Sequence, residues 1–286
     1  TNKKITEDDL NVLMSEARYD RRRLLSAMQR EQDKMFIESQ YETFLTTYPP
    51  EVIEKQLNER VIGQPELTRN VADFLFYHML RHMYPDLPPR PMLITGPSGC
   101  GKTEVWRAVS ELYGDFFDIV VADGSRITEE GWKGSYKLSN IITEDLADSG
   151  ILIIDEFDKC AKPEYSNGVN VGQCLQAEFL KVLEGEYYLT RDEEPIIRDG
   201  DYVYTTTMGI VFAGAFDDIR DKKAEEQSRR GIGFGSSASK EETENYMMIS
   251  EEDLLDYGIM PEIVGRLATK CCVRQLSDEN YLKIVN

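Results

Sequence analysis

The sequence predicts a three-layer α/β fold: a mostly parallel five-stranded sheet with helices on both faces, preceded by a helical N-terminal segment. Three observations carry this. Short, continuously apolar runs recur from residue 91 onward. Such runs are the mark of strands buried on both faces, as in parallel sheets. The intervals between them carry helical periodicity. Before residue 50 there is only helical patterning, with charges between the apolar positions.

Taken in order, residues 6–47 read as helical. Thr6 with Asp9 resembles a capping box, and Leu10, Leu13, Met14, Ala17, Leu24, Leu25 and Met28 recur at helical spacing. "TYPPE" (47–51) breaks the helix. This segment is either a helical hairpin packed on its own domain or a docking segment for an adaptor or partner. "PMLIT" (91–95) is the first strand, ending in a glycine loop, and a helix follows over 101–113. "FDIVVAD" (117–123) is the second strand, with a helix over about 136–148. "GILIIDEF" (150–157) is the third, followed by a helix over 170–184. "YYLTRDEE" (187–194) and "DYVYTTT" (201–207) alternate and suit an inserted hairpin. "GIVFAGAF" (209–216) and "TKCCVRQL" (269–276) are the fourth and fifth strands. The polar stretch 221–250 reads as a long loop, which is usually functional or disordered.

Composition narrows the classes of function. Fifty-two acidic against 33 basic residues give a formal charge of −19, which disfavours general binding to nucleic acid or anionic membranes. Five cysteines without a CxxC pair, and two histidines, argue against a zinc site. The absence of a disulfide framework fits a reducing, cytoplasmic compartment. No apolar run approaches the ~18–20 residues of a membrane span. The chain starts at Thr1, as a fragment of a longer protein would, so its N-terminus decides nothing about targeting.

"GPSGCGKT" (96–103) fits G-x-x-x-x-G-K-[ST] between a strand and a helix, the context that identifies a phosphate-binding loop. Gly96, Pro97, Ser98, Gly99, Cys100 and Gly101 form the loop, with Glu104 also a candidate cofactor contact; the loop N–H groups and the N-terminus of the helix that follows suit phosphate oxygens. Lys102 would reach the β and γ phosphates of ATP or ADP, and the Thr103 hydroxyl would ligate Mg²⁺. "ILIIDE" (151–156) delivers two carboxylates at a strand's C-terminal end, where α/β sheets bind ligands. Asp155 would hold the Mg²⁺ coordination sphere, and Glu156 would deprotonate the attacking water. Neighbouring strand residues face opposite sides, so the two carboxylates can differ in role.

The ordered set "VIGQ" (61–64), the phosphate loop, "ITEEGWKG" (127–134), "IDEFDK" (154–159), "LQAEFLKVLEG" (175–185), "GAF" (214–216), "GIGFG" (231–235) and "GIMPEIVGRL" (258–267) resembles the ATPase module of ClpX-type AAA+ unfoldases. The similarity runs from about residue 50 to the end of the chain. It implies a P-loop AAA+ fold over 51–275, after the helical segment 1–50, with 276–286 opening a small C-terminal domain. It implies Val61 and Ile62 against the adenine; ordinary core packing is their plainer role. Arg266 matches an arginine finger reaching a neighbouring subunit's γ-phosphate, against a surface salt bridge as the plain reading. Trp132 and Lys133 match the pore loop that grips polypeptide, although the family's usual motif is Gly-Tyr-Val-Gly; a buried anchor is the alternative for Trp132. Ile232, Gly233 and Phe234 match the loop that docks on a ClpP-type peptidase, unless Phe234 folds back and buries itself locally. A homo-hexamer acting on protein substrates is implied.

The sequence departs from the family in lacking a four-cysteine zinc domain at its N-terminus, and "GIVFAGAF" offers no Asn, Thr or Ser to sense the attacking water. The isolated piece is expected to hydrolyse ATP poorly. Three readings follow: an ATP-driven unfoldase feeding a ClpP-type peptidase, a stand-alone remodelling ATPase, and a nucleotide-gated binding module with little turnover.

Overall fold

The apolar runs fold as the strands of one sheet. The computed structural model describes residues 36–128, 136–142, 146, 149–163, 165–166, 168–188, 202–231 and 248–285. In chain order the elements are α1 (36–47), α2 (Pro50–Asn58), α3 (Pro65–Met83), β1 (Met92–Thr95), α4 (Glu104–Tyr113) and β2 (Ile119–Asp123). Next come α5 (Leu138–Ile141), β3 (Ile151–Asp155), α6 (Phe157–Ala161), β4 (Tyr165–Ser166), β5 (Val169–Asn170) and α7 (Val171–Glu184). The chain continues with β6 (Glu186–Tyr188), β7 (Tyr202–Tyr204), β8 (Gly209–Gly214) and α8 (Asp217–Gly231). It closes with α9 (Glu251–Tyr257), α10 (Pro261–Val264), β9 (Thr269–Cys272) and α11 (Asp278–Val285). A boundary between two units falls between Thr47 and Tyr48. In the first unit, α1 carries Thr43 and Thr46, whose hydroxyls donate to the carbonyls of Ser39 and Glu42.

The second unit holds a five-stranded sheet in the order β2-β3-β8-β1-β9, parallel throughout. Alternation along its strands sends residues to two buried faces. Leu93, Leu152, Ile154 and Phe212 share one core with Phe157 and Phe179. There the rings of Phe157 and Phe212 lie 4.4 Å apart, with Phe179 5.8 Å from each. Met92, Ile94, Ile153 and Val211 fall on the alternate positions and are equally buried. This explains why the strands read as unbroken apolar runs rather than alternating ones.

The helix boundaries follow local chemistry. Proline opens α2, α3 and α10, where its missing N–H is no loss. Asn170 caps α7 through Gln173 N–H at 3.3 Å, and Gly185 ends it at φ +95°. Ser250 and Asp253 close a reciprocal capping box on α9. The expected hairpin forms as the antiparallel pair β6–β7, with Tyr187 opposite Val203.

One expectation is corrected. The stretch 221–250 does not begin as a loop, because α8 runs to Gly231. Its sequence, DDIRDKKAEEQSRRG, is polar on every side and shows no apolar stripe. Lys, Glu, Ala, Gln and Arg are nonetheless strong helix formers. Asp217 and Asp218 in the first turn favour the helix dipole, and the single large apolar residue, Ile219, is buried as an anchor. Among the described residues no helix is long and apolar enough to cross a membrane.

Candidate nucleotide site

The sheet order creates the site. β1 stands between β8 and β9, while β3 lies on the far side of β8. A crevice at such a point, beyond the carboxyl ends of the strands, is where open α/β sheets take ligands. The phosphate loop leaves β1 there, and Asp155 ends β3 at the same edge.

The glycines are dictated by space and by backbone angle. A Cβ on Gly96 would lie 2.7 Å from Val273 O, a backbone atom that cannot swing away. Gly99 and Gly101 adopt φ of +74° and +97°, a region that side chains resist. Lys102 is buried, and its Nζ donates to Gly96 O at 2.6 Å and Pro97 O at 2.9 Å, so the ammonium is folded over its own loop. Burial raises the Cys100 thiol above its ordinary range, although the Lys102 charge pulls the other way. The thiol therefore stays protonated, a compact filler rather than a nucleophile.

Thr103 and Asp155 are 52 residues apart and meet directly: Thr103 Oγ1 donates to Asp155 Oδ2 at 2.5 Å. The other carboxylate oxygen, Oδ1, accepts Glu156 N–H at 2.9 Å. That bond sits on a left-handed turn, since Glu156 has φ +54° and ψ +33°. Its carboxylate is paired with Lys159 Nζ at 2.8 Å. Glu104, at the helix start, turns its carboxylate to Arg107 at 2.7 Å.

Val61 is buried and Ile62 half-buried, and both line the same cavity of about 500 Å³ as Gly99–Glu104. Gln64 fixes this segment by donating from Nε2 to Arg274 O at 2.7 Å. The candidate base-contact and phosphate-contact residues, which flank α3 and β1 in the chain, are thus brought together in one cavity.

Arg266 is not brought to this cavity. Ala268, two residues on, donates to Pro91 O before β1, whereas the phosphate loop follows the other end of that strand. Its Nη2 pairs with Glu184 at 2.9 Å, and Nη1 donates to Glu262 O at 2.9 Å. Within a single chain, the plain salt-bridge reading is what forms. Trp132, Lys133, Ile232, Gly233 and Phe234 lie outside the described residues.

Sequence reasoning passes over Asp158. This buried carboxylate accepts Ala215 N–H at 3.2 Å and Phe216 N–H at 3.3 Å, tying the end of β8 to the turn after β3. The signal available is the third acid of "IDEFDK", three residues after Asp155.

Comparison with known proteins agrees with this geometry. Residues 92–215 match the family described as "ATPase family associated with various cellular activities (AAA)". Among curated proteins, the chain is 29% identical over 263 residues to the "ATP-dependent Clp protease ATP-binding subunit ClpX" of Treponema denticola. It is 30% identical over 264 residues to the protein of that name from Bacteroides thetaiotaomicron. Each match covers 82% of this chain and 62% of the relative, so the chain spans under two thirds of these relatives' length. Residues 92–215 thus match the AAA ATPase family, and the chain that carries them is similar to these ClpX-named ATP-binding subunits.

Proposed function

We propose that this chain binds ATP and, within a homo-hexameric ring, hydrolyses it to unfold protein substrates by threading them through a central pore. The observation that carries the reading is the convergence of Lys102, Thr103, Asp155 and Glu156 at one edge of the sheet. The loop N–H groups and Lys102 would take the phosphates once the ammonium leaves Gly96 O and Pro97 O. Two hard oxygen donors from protein, Thr103 Oγ1 and Asp155 Oδ2, suit Mg²⁺, which keeps its remaining positions for water and phosphate. Held by Thr103 and Asp155, such an ion would supply positive charge against the phosphates during transfer. Glu156 would release Lys159 and accept a proton from the attacking water.

Arg266 would act on a neighbour's γ-phosphate, because its own site lies beyond the other end of β1. Head-to-tail contacts that close into a ring supply this geometry. Trp132 and Lys133 would grip the substrate, with Lys133 favouring acidic segments. Ile232 and Phe234 would dock a ClpP-type peptidase. Each loop would bind weakly, and six together strongly, through effective concentration.

The test uses the full-length protein. Glu156→Gln should bind ATP and stop phosphate release. Loaded with a slowly hydrolysed ATP analogue, the wild type should capture a ClpP-type peptidase and Phe234→Ala should not. A hexameric wild type that hydrolyses ATP yet captures no peptidase would favour stand-alone remodelling, which the Gly-Trp-Lys-Gly motif at 131–134 also suits. Phosphate release unchanged in Glu156→Gln would defeat the catalytic assignment.

A further inference from the structure

The end of β8 lies between the two halves of the nucleotide site. β8 pairs with β1, which feeds the phosphate loop, and with β3, which ends in Asp155. Gly96 N–H donates to Gly214 O at 3.2 Å, so loop and strand end are joined. A terminal phosphate reaching from the loop toward Glu156 must therefore pass the end of β8. That end offers Gly214, Ala215 and Phe216, then Asp217, Asp218 and Ile219. None of these side chains can donate to an anion. The first that can is Arg220, one turn into α8, whose backbone N–H donates to Phe216 O.

The Arg220 side chain is in an unusual state. Its Nε and Nη2 are both withdrawn from solvent, and among the described residues neither has an acceptor. A guanidinium stays charged and consists only of donors, so buried nitrogens without oxygens are costly. Three acids at or near the ends of β3 and β8 are engaged elsewhere. Asp218 pairs with Lys162 at 2.5 Å, Asp158 holds Ala215 and Phe216, and Asp155 holds Thr103. The Arg220 charge is also felt at the Cys100 thiol inside the loop, where it opposes the larger effect of burial.

We infer that Arg220 is a further phosphate-binding residue of this site, donating from Nε and Nη2 to oxygens of the nucleotide's terminal phosphate. Paired N–H donors match a phosphate edge, and such charge-assisted bonds are about twice as strong as neutral ones. The inference rests on the nucleotide reading above and adds to it a residue acting within the same chain. It would make the site discriminate ATP from ADP without help from a neighbour.

The experiment measures binding of the magnesium complexes of ADP and of a thiophosphate ATP analogue to the full-length protein. Wild type is compared with Arg220→Ala, Arg220→Lys and Lys102→Ala, and each is melted without nucleotide. Arg220→Ala should weaken the ATP analogue by about ten-fold or more, and ADP by about two-fold or less. Arg220→Lys should fall between. The nucleotide-free melt of Arg220→Ala should be unchanged or higher, because an unsatisfied buried cation has been removed. An unchanged preference for the ATP analogue in Arg220→Ala overturns the inference. So does a lowered nucleotide-free melt at unchanged preference, which would place the guanidinium's partner in protein. If wild type and Lys102→Ala both fail to bind nucleotide, the nucleotide reading falls first and this one with it.

Discussion

Glu156 is the place to separate chemistry from backbone strain. It is a non-glycine residue with φ +54°, immediately after β3. A Cβ in that conformation costs about 1–2 kcal/mol, and glycine removes the cost. Glycine also loses the pair with Lys159, whose two side chains are 58% and 43% exposed. An exposed pair contributes about 0.2–1 kcal/mol at most. The net expectation for Glu156→Gly is a gain of about 0.5–1 kcal/mol, or about 2 °C in Tm for a unit of this size. Glu156→Asn should fall between, since Asn tolerates the left-handed region, and Glu156→Gln should be lowest, keeping the strain without the pair. None of the three should release phosphate at more than about a hundredth of the wild-type rate, because none accepts a proton. Urea melts give the stability order and a phosphate-release assay gives the rates. Glycine at or below glutamine in stability would refute the claim that this turn is held under strain.

Gly96→Ala should lower nucleotide affinity at least about ten-fold and stability by about 1–3 kcal/mol, because the new Cβ meets Val273 O at 2.7 Å. Titration with an ATP analogue and a urea melt check both, and no change in either would mean the loop yields freely. Thr103→Ala should leave some nucleotide binding but remove most of its dependence on Mg²⁺, since the hydroxyl beside Asp155 is gone; binding measured with and without EDTA decides it. The two histidines set a pH dependence. Burial first, and then the charge of its neighbour His82, lowers His78 to about 3, while burial and Arg81 lower His82 to about 4. Both sit below the ordinary value of 6.5, so the unfolded chain binds more protons between those limits. Stability should be level above about pH 6.5 and fall as pH drops below it, by about 1.4 kcal/mol per pH unit for each histidine. Urea midpoints at pH 7.5, 6 and 5 test this, and a flat profile would defeat it.

The sheet was legible because its central strands, β3, β8 and β1, are buried on both faces, so burial is written into the sequence as unbroken apolar runs. The phosphate loop was legible because its glycines answer to local backbone geometry, which a contiguous motif records. The helix α8 was not, because it lacks the apolar stripe that announces a helix and is carried by propensity and one anchor, Ile219. Asp158 and Arg220 were hidden for a different reason. Asp158 meets its partners 57 and 58 residues away, across two strands. The state of Arg220 is defined by the acceptors it lacks, which no spacing rule records. Arg266 shows the converse: the motif around it is legible, yet in one chain its guanidinium is spent on Glu184 and Glu262 O.

The two non-glycine residues with left-handed backbone among those described are Glu156 and Phe216. They sit just beyond the carboxyl ends of β3 and β8, which are neighbours in the sheet. Strain of this kind persists only where surrounding bonds over-determine the backbone. Here those bonds are named: Asp155 Oδ1 takes the N–H of Glu156, and Asp158 takes the N–H of Phe216. Phe216 is also fully buried, its ring edge-on to Tyr257, whose hydroxyl donates to Asp158 O. One acidic segment, Asp155 to Asp158, therefore holds both turns. Asp155 and Glu156 are joined by a single hydrogen bond, and Asp158 lies two residues further along the chain. Asp158 in turn holds the end of β8, and α8 begins at the next residue after Phe216. The strand edge that is proposed to receive phosphate is thus joined, through the bonds of Asp155 and Asp158, to the turn from which the Arg220 helix starts.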